Sequence, residues 1–443
     1  MSRVYHAQNP NHLFTSRLEI ETHLLAKIHA SQGGKTGTEL ELFVTTPEGR
    51  PPSFDQIEML LENIAQSFNG AELTQEKGRI IGLNLPGIGD ISLEPGGQVE
   101  LSTKPCKDMA ELEVCNRALR DLLERACAFQ GLHAEGAGHK PEFLQAEDMP
   151  RSRFHAYYDY CHEQYGKKAQ PLIDTMKSCC GLQVNVDPMG DKFHEIYRAL
   201  LLTDVAESFA TRSERQKRLH DTYASVAPEQ MTPLFDALDA RDNETTVRHM
   251  VDRLLTLRVP FVPDSGAEEG FRHARAVFGK TMTVGDFLAA GTLTTEILDN
   301  ALSLQLTMPN LRRHGVLETR APDSIDDVDA LMKTAAQYHR MTYDDAARGA
   351  LLTGFAGIDA DRLRVAFQTR FDMDAKTLMA FDIGGGKTVG DLVTAVRAPQ
   401  AELANTNTQA ELANTNTQAV PANTNETAPV AAAKKRSQPQ QGG

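Results

Sequence analysis

The 443-residue chain has no tryptophan, only six cysteines and no long apolar run, and each shortage removes a class of protein. Without Trp, a packed interior must be built from aliphatic side chains and the 18 phenylalanines. Cys106, Cys115, Cys127, Cys161, Cys179 and Cys180 have neither CxxC spacing nor the density of a disulfide scaffold, which argues against a zinc module or a cross-linked secreted domain. Reduced thiols in a bacterial-type cytoplasm are expected; the adjacent Cys179 and Cys180 are read as two partly buried thiols, with a redox pair as the open alternative. Residues 1–17 are polar and lack an apolar core of signal-peptide length. No stretch approaches the ~20 apolar residues that span a membrane. Positive charge is also short: 46 Lys and Arg against 60 Asp and Glu leave a formal charge of −14. That balance argues against a nucleic-acid partner, because phosphate binding needs a basic surface.

What is present is an ordinary globular balance, 41% hydrophobic and 24% charged, long enough for one large domain or two smaller ones. Helical spacing runs from Leu13 to Ala30, from Phe54 to Phe68 behind Ser53, from Met109 to Gln130, and from His194 to Ala210. Residues 225–259 and the stretch from Asp327 onward also read as helical. Strands are expected at 36–45, through the Pro-Gly-punctuated stretch 79–103, at 180–187 and at 316–320. The expected organisation is a principal domain over residues 1–335, a C-terminal helical segment over 336–397, and a disordered tail over 398–443. AELANTNTQ occurs twice in that tail, which lacks the large apolar residues that would offset the entropy of ordering.

The strands share one pattern. In Gly37-Thr38-Glu39-Leu40-Glu41-Leu42-Phe43, the two glutamates lie two apart and so point to one face, with Leu40 and Leu42 on the other. Ser92-Leu93-Glu94 and Gln98-Val99-Glu100-Leu101-Ser102 repeat this around a Pro-Gly-Gly turn. Gln183, Asn185 and Asp187 alternate with Leu182, Val184 and Val186, and Glu318 and Arg320 flank Thr319. For any one strand, the plain reading is the wet side of an antiparallel sheet. Taken together, these polar faces carry acids and amides but no lysine, and close carboxylates repel by about 1 kcal/mol per pair at surface dielectric. A hard cation such as Mg²⁺ or Mn²⁺ would relieve that repulsion with oxygen ligands of this kind. Arg320 adds a fixed donor for phosphate or carboxylate.

These runs, with Met149-Pro150-Arg151-Ser152-Arg153-Phe154, Thr283-Val284-Gly285-Asp286-Phe287-Leu288 and Leu317-Glu318-Thr319-Arg320-Ala321-Pro322-Asp323-Ser324, resemble the plant and proteobacterial branch of the glutamate–cysteine ligase family. The landmarks come in the family order and cover about residues 36–324. The resemblance implies an α+β fold with a glutamine-synthetase-like antiparallel sheet, curved into a half-barrel or funnel with helices outside. It implies ATP-dependent joining of the γ-carboxylate of glutamate to the amine of cysteine, with those small molecules as partners and no nucleic acid or membrane. Glu39, Glu41, Glu94, Glu100 and Glu318 would hold Mg²⁺ or Mn²⁺ ions bridging the ATP phosphates. Gln183 and Asn185 would serve the metal or nucleotide, and Glu318 and Arg320 the transferring phosphoryl group. Arg153 and Tyr160 would lie at the substrate end, and Arg218, in an Arg-rich run at 211–220, would replace the family's substrate-side Arg. Two alternatives stay open: a related ligase for another acid or amine, and a catalytically silent binding paralogue.

Gly384-Gly385-Gly386-Lys387-Thr388 looks like the end of a phosphate loop, but Phe381 occupies the position of the required leading Gly, so a turn is expected. Asp323 is expected either to orient Arg320 or to be an exposed loop acid. Lys434-Lys435-Arg436 is too short to imply nucleic-acid binding.

Overall fold

The computed structural model describes residues 11–264 and 271–398, with one compact unit running to Arg397. The expected disordered tail, its repeats and Lys434-Lys435-Arg436 lie outside the described residues. The elements that position the site are α1 (Arg17–Ala30), β1 (Thr36–Thr45), α2 (Phe54–Ser67), β2 (Glu72–Glu76), β3 (Arg79–Leu85), β4 (Gly89–Leu93), β5 (Val99–Thr103), α3 (Met109–Gln130), β6 (His133–Glu135), α4 (Ser152–Tyr165), α5 (Ala169–Ser178), β7 (Leu182–Val186), α6 (Phe193–Thr211) and α7 (Glu214–Val226). Two short strands follow, Asn310–Leu311 and Leu317–Thr319, and then a helix, Val328–Tyr343.

Among the described residues these strands form a nine-stranded sheet in which every pairing is antiparallel. The strand 317–319, β7, β1, β5, β4, β3 and β2 are neighbours in that order, and 310–311 closes one edge. The expected α+β class and antiparallel sheet are therefore observed. Leu40, Leu42 and Val44 point to one side and pack against Ile57, Leu60, Leu61 and Ile64 of α2 and Leu119, Leu122 and Leu123 of α3, in one buried cluster. Each such fully buried Leu or Ile contributes about 2 kcal/mol of transfer free energy. Val184 and Val186 join a second cluster with Ile196, Leu200, Leu201 and Val205 of α6.

Local chemistry explains the element ends. Ser53 and Gln56 form a capping box at α2. Asp108 caps α3, which ends where Gly131 takes a left-handed conformation (φ 69°). Between β4 and β5, the Gly97 N–H donates to the Glu94 carbonyl (3.0 Å) and the Glu94 N–H to the Gln98 carbonyl (2.9 Å). This is a three-residue hairpin loop that needs a left-handed residue at its end, and Gly97 (φ 82°) supplies it. Gly96 is required for a different reason, since a Cβ there would stand 2.5 Å from the Lys177 carbonyl. The Gln98 side chain is buried, bracing this loop through donation to the Met176 and Cys179 carbonyls.

The helical stretch expected at 225–259 is broken into pieces: Pro228 and Pro233 interrupt the spacing, and a long regular helix resumes at Asn243–Thr256. The helix Val328–Tyr343 runs unbroken across residue 335, and residues up to Arg397 form one compact unit. Gly384–Gly386 form a tight hairpin turn between Asp382–Gly384 and Lys387–Thr388, as expected. No helix among the described residues is long and apolar enough to cross a membrane.

Candidate active site

The register brings the polar strand positions together. Glu39 lies opposite Ser102 on β5 and Gln183 on β7, Glu41 opposite Glu100, Glu100 opposite Ser92, and Glu318 opposite Asn185. Residues facing each other across an antiparallel ladder project to the same side, so all of these share one face, as the parity argument requires. That face ends at Phe43, whose ring packs on Phe143 with centroids 4.5 Å apart.

Amide and hydroxyl groups hold the carboxylates. Asn185 Nδ2 donates to Glu39 (2.9 Å), and Gln183 Nε2 (2.9 Å) and the Gly181 backbone N–H (2.6 Å) donate to Glu41. The hydroxyls of Ser92 and Ser102 donate to Glu100 at 3.0 and 3.2 Å. Glu318, only 1% exposed, is gripped between Arg312 and Arg320, and burial alone would push its carboxyl up. The two guanidinium groups outweigh that burial and hold it below its ordinary value.

Glu39 and Glu41 behave in the opposite way. Each is pushed up to about 7, first by loss of water and then by like charge, from Glu100 and Glu318 for Glu39 and from Glu94 and Glu100 for Glu41. The acids thus fall into two repelling groups that share Glu100. Among the described residues, no three His, Cys, Asp or Glu side chains form a ready-made metal cage. The donor chemistry still fits Mg²⁺ or Mn²⁺, because these hard ions take oxygen ligands and are commonly held by one or two carboxylates together with substrate phosphates.

Beside this face lies a cavity of about 400 Å³. Its lining includes Glu39, Asn185, Asp187 and Glu318 together with the cationic side chains of Lys35, Arg153, Arg312 and Arg313. Arg153 is buried, and its guanidinium is pushed down to about 10, chiefly by desolvation and then by the neighbouring Arg151. Of the residues anticipated from sequence, Glu39, Asn185, Glu318 and Arg153 line the cavity. Glu41, Gln183 and Glu100 lie on the same sheet face, Glu94 sits at the β4–β5 hairpin, and Arg320 is clasped to Glu318.

Two residues are placed elsewhere. Tyr160 is buried in the cluster beneath the sheet, with its hydroxyl 3.2 Å from that of Tyr165, so it does not line the cavity. Arg218 is half-buried on α7, does not line the cavity, and pairs with Glu214 one turn away (3.3 Å). The same helix turns Arg215 inward: it pairs with Asp323 (3.3 Å), donates to the Arg320 and Ala321 carbonyls, and helps hold Glu41 down. Gly181 makes room for it, since a Cβ there would stand 2.5 Å from Arg215 Nη2. Asp323 therefore serves Arg215 and the Ser213 hydroxyl (2.8 Å).

Lys35, Arg312 and Arg313 were not anticipated. The only local signal was the basic run Arg312-Arg313-His314 four residues before Glu318. All six cysteines are free and buried, and burial pushes the Cys179 thiol up to about 12. That environment agrees with unreactive thiols.

The antiparallel sheet thus presents a face crowded with carboxylates beside a cavity lined by both acidic and cationic side chains. Residues 35–206 match the glutamate-cysteine ligase family 2. It is 31% identical over 207 residues to a chloroplastic glutamate–cysteine ligase of Brassica juncea, covering 45% of this chain and 38% of that one. The Arabidopsis thaliana protein of the same name is 33% identical over 188 residues, 40% of this chain and 34% of that one. A longer match, 24% identical over 323 residues, covers 69% of this chain and 62% of glutamate–cysteine ligase A, chloroplastic, of Oryza sativa subsp. japonica. The matched stretch thus spans less than two thirds of the length of these relatives. A solved complex of the prokaryotic ubiquitin-like protein Pup with its ligase PafA aligns over 83% of this chain and 76% of that one, at 9% identity and a TM-score of 0.21, too low to bear on the fold.

Proposed function

We propose that this protein is an ATP-dependent carboxylate–amine ligase that joins the γ-carboxylate of glutamate to the amine of cysteine. The observation that carries the proposal is the convergence of Glu39, Glu41, Glu100 and Glu318 on one sheet face beside a cavity whose lining includes Lys35, Arg153, Arg312 and Arg313. A carboxylate is a poor acyl donor, so its oxygen first attacks the γ-phosphorus of ATP, forming an acyl phosphate and releasing ADP. The amine then attacks the acyl carbon, inorganic phosphate leaves, and the nitrogen loses a proton. No enzyme nucleophile is needed.

The attack brings two anions together and the departure of ADP builds charge on its oxygens, and the cationic side chains of the lining would offset that charge. Glu39, Glu41, Glu94, Glu100 and Glu318 would hold Mg²⁺ or Mn²⁺, which when bound neutralises the phosphate oxygens. Arg320, fixed by Glu318, would meet the transferring phosphoryl group, and Gln183 and Asn185 keep Glu41 and Glu39 oriented. Buried Arg153 is the candidate for the substrate carboxylate. A half-barrel curvature of the sheet and a cytoplasmic location belong to the same proposal, supported respectively by the continuous antiparallel sheet and the six free thiols.

A second reading, a ligase for another acid or amine, is favoured by one observation: the Arg-rich run on α7 commits Arg215 to structural partners and Arg218 to Glu214, and neither lines the cavity. The test is ADP release with Mg-ATP, glutamate and a panel of amines. Release that requires cysteine supports the first reading, and release with a different amine supports the second. Absence of nucleotide turnover with every amino acid, together with absence of Mg-ATP binding, overturns both.

A further inference from the structure

α6 is buried along most of its length and carries polar side chains inside the molecule, among them Asp204, which is fully buried. A buried carboxylate is costly unless it is paired, yet Asp204 forms no ion pair among the described residues. Its Oδ1 instead accepts from the Tyr338 hydroxyl (2.8 Å) and from the backbone N–H of Ala321 (3.4 Å). Ala321 follows Arg320, and both come directly after the strand that carries Glu318. Tyr338 is itself fully buried on the helix 328–343.

We propose that Asp204 and Tyr338 are positioning residues for Arg320: the hydroxyl fixes the carboxylate, and the carboxylate fixes the backbone on which Arg320 turns toward Glu318. This rests on the ligase reading, in which Arg320 meets the phosphoryl group. Three features support it. The Arg320 guanidinium is desolvated, yet the charges of Glu318, Glu41 and Glu39 keep it firmly protonated, so its direction is set within a crowded acidic field. The anchor is also doubly tied, since Gln337, next to Tyr338, donates to Glu207 (3.0 Å) one turn along α6 from Asp204, and Arg397 of the last helix pairs with the same Glu207 (2.6 Å). Finally, helix 328–343 grips the cavity rim as well: the Tyr343 hydroxyl bridges the Lys35 and Asp187 carbonyls at 2.7 and 2.9 Å, and His339 Nδ1 lies 2.9 Å from the Thr36 hydroxyl. The C-terminal helices thereby become part of the scaffold of the site.

The test measures kcat and KM for ATP, together with amide hydrogen exchange of residues 317–323, in the full chain and in Asp204→Ala, Asp204→Asn and Tyr338→Phe. Asp204→Ala is expected to lower kcat at least tenfold with KM for ATP within about twofold, and to speed exchange in 317–323. Asp204→Asn, which keeps an acceptor oxygen, is expected to recover kcat to within about threefold, and Tyr338→Phe to fall between them. Unchanged exchange in a folded Asp204→Ala protein, or a loss expressed in KM alone, overturns the proposal. If Asp204→Ala does not fold, Tyr338→Phe decides by the same exchange measurement. If the wild type shows no turnover, the ligase reading falls, while the exchange result still decides whether Asp204 anchors this backbone.

Discussion

Replacing Asp204 by Asn should remove a specific pH dependence of stability. Burial pushes the Asp204 carboxyl from an ordinary 3.8 up to about 7, against the hydrogen bonds from Tyr338 and the 320–321 backbone. The native state therefore holds a proton that the unfolded chain releases near pH 4. Between those values the native state binds more protons than the unfolded state, so stability falls as pH rises, and it levels off above about 7. At about 1.4 kcal/mol per pH unit, the gap amounts to about 4 kcal/mol, of which about 3 lies between pH 5 and 7. Asn is neutral throughout, and the hydrogen bonds it weakens give an offset of about 1 kcal/mol that does not change with pH. Urea unfolding followed by circular dichroism at pH 5, 6, 7 and 8 reads the difference. The Asn variant should gain on the wild type by roughly 2–4 kcal/mol from pH 5 to 8, most of it below pH 7. Parallel stability curves for the two proteins would refute the reasoning.

Three further outcomes follow from the site. Glu318→Gln leaves Arg312 and Arg320 without their shared counter-charge. It should cost about 2–3 kcal/mol, less than the loss of a fully buried pair because both arginines keep some water, and should lower ADP release at least a hundredfold, so retained turnover would contradict the role given to Glu318. Arg215→Ala should cost about 2–3 kcal/mol through its buried pair with Asp323, and Arg218→Ala no more than about 0.5 kcal/mol. Equal losses in urea melts would show that the two sides of α7 are misassigned. Chelation of divalent cations should abolish ADP release, with recovery on adding Mg²⁺ or Mn²⁺, and turnover in chelator would remove the metal from the account.

Much of the acidic face was legible because strand parity is a local property. Glu39 and Glu41 share a face whatever β1 pairs with, and β1 and α3 end at the residues their turn and cap signals indicate. The pairing that sets Glu318 beside Asn185 joins residues far apart in sequence, and the family landmarks supplied that link. Arg312 and Arg313 escaped notice because they sit between two very short strands, 310–311 and 317–319, with little pattern of their own. That Tyr160 and Arg218 do not line the cavity could not be read from the sequence, because a motif on a helix does not tell which way each residue turns. Three residues along α7 separate buried Arg215, which reaches Asp323, from half-buried Arg218, which pairs with Glu214. The contact of Tyr338 with Asp204 spans 134 residues, and nothing near either residue announces it.

The central claim is that the glutamate γ-carboxylate is activated by phosphorylation, and isotope transfer tests it most directly. With Mg-ATP, cysteine and glutamate carrying ¹⁸O in both γ-carboxylate oxygens, mass analysis of the released inorganic phosphate follows the oxygen that bridged carbon and phosphorus. The account predicts one ¹⁸O in phosphate for each γ-linked dipeptide formed. Dipeptide and ADP formed with unlabelled phosphate would contradict it.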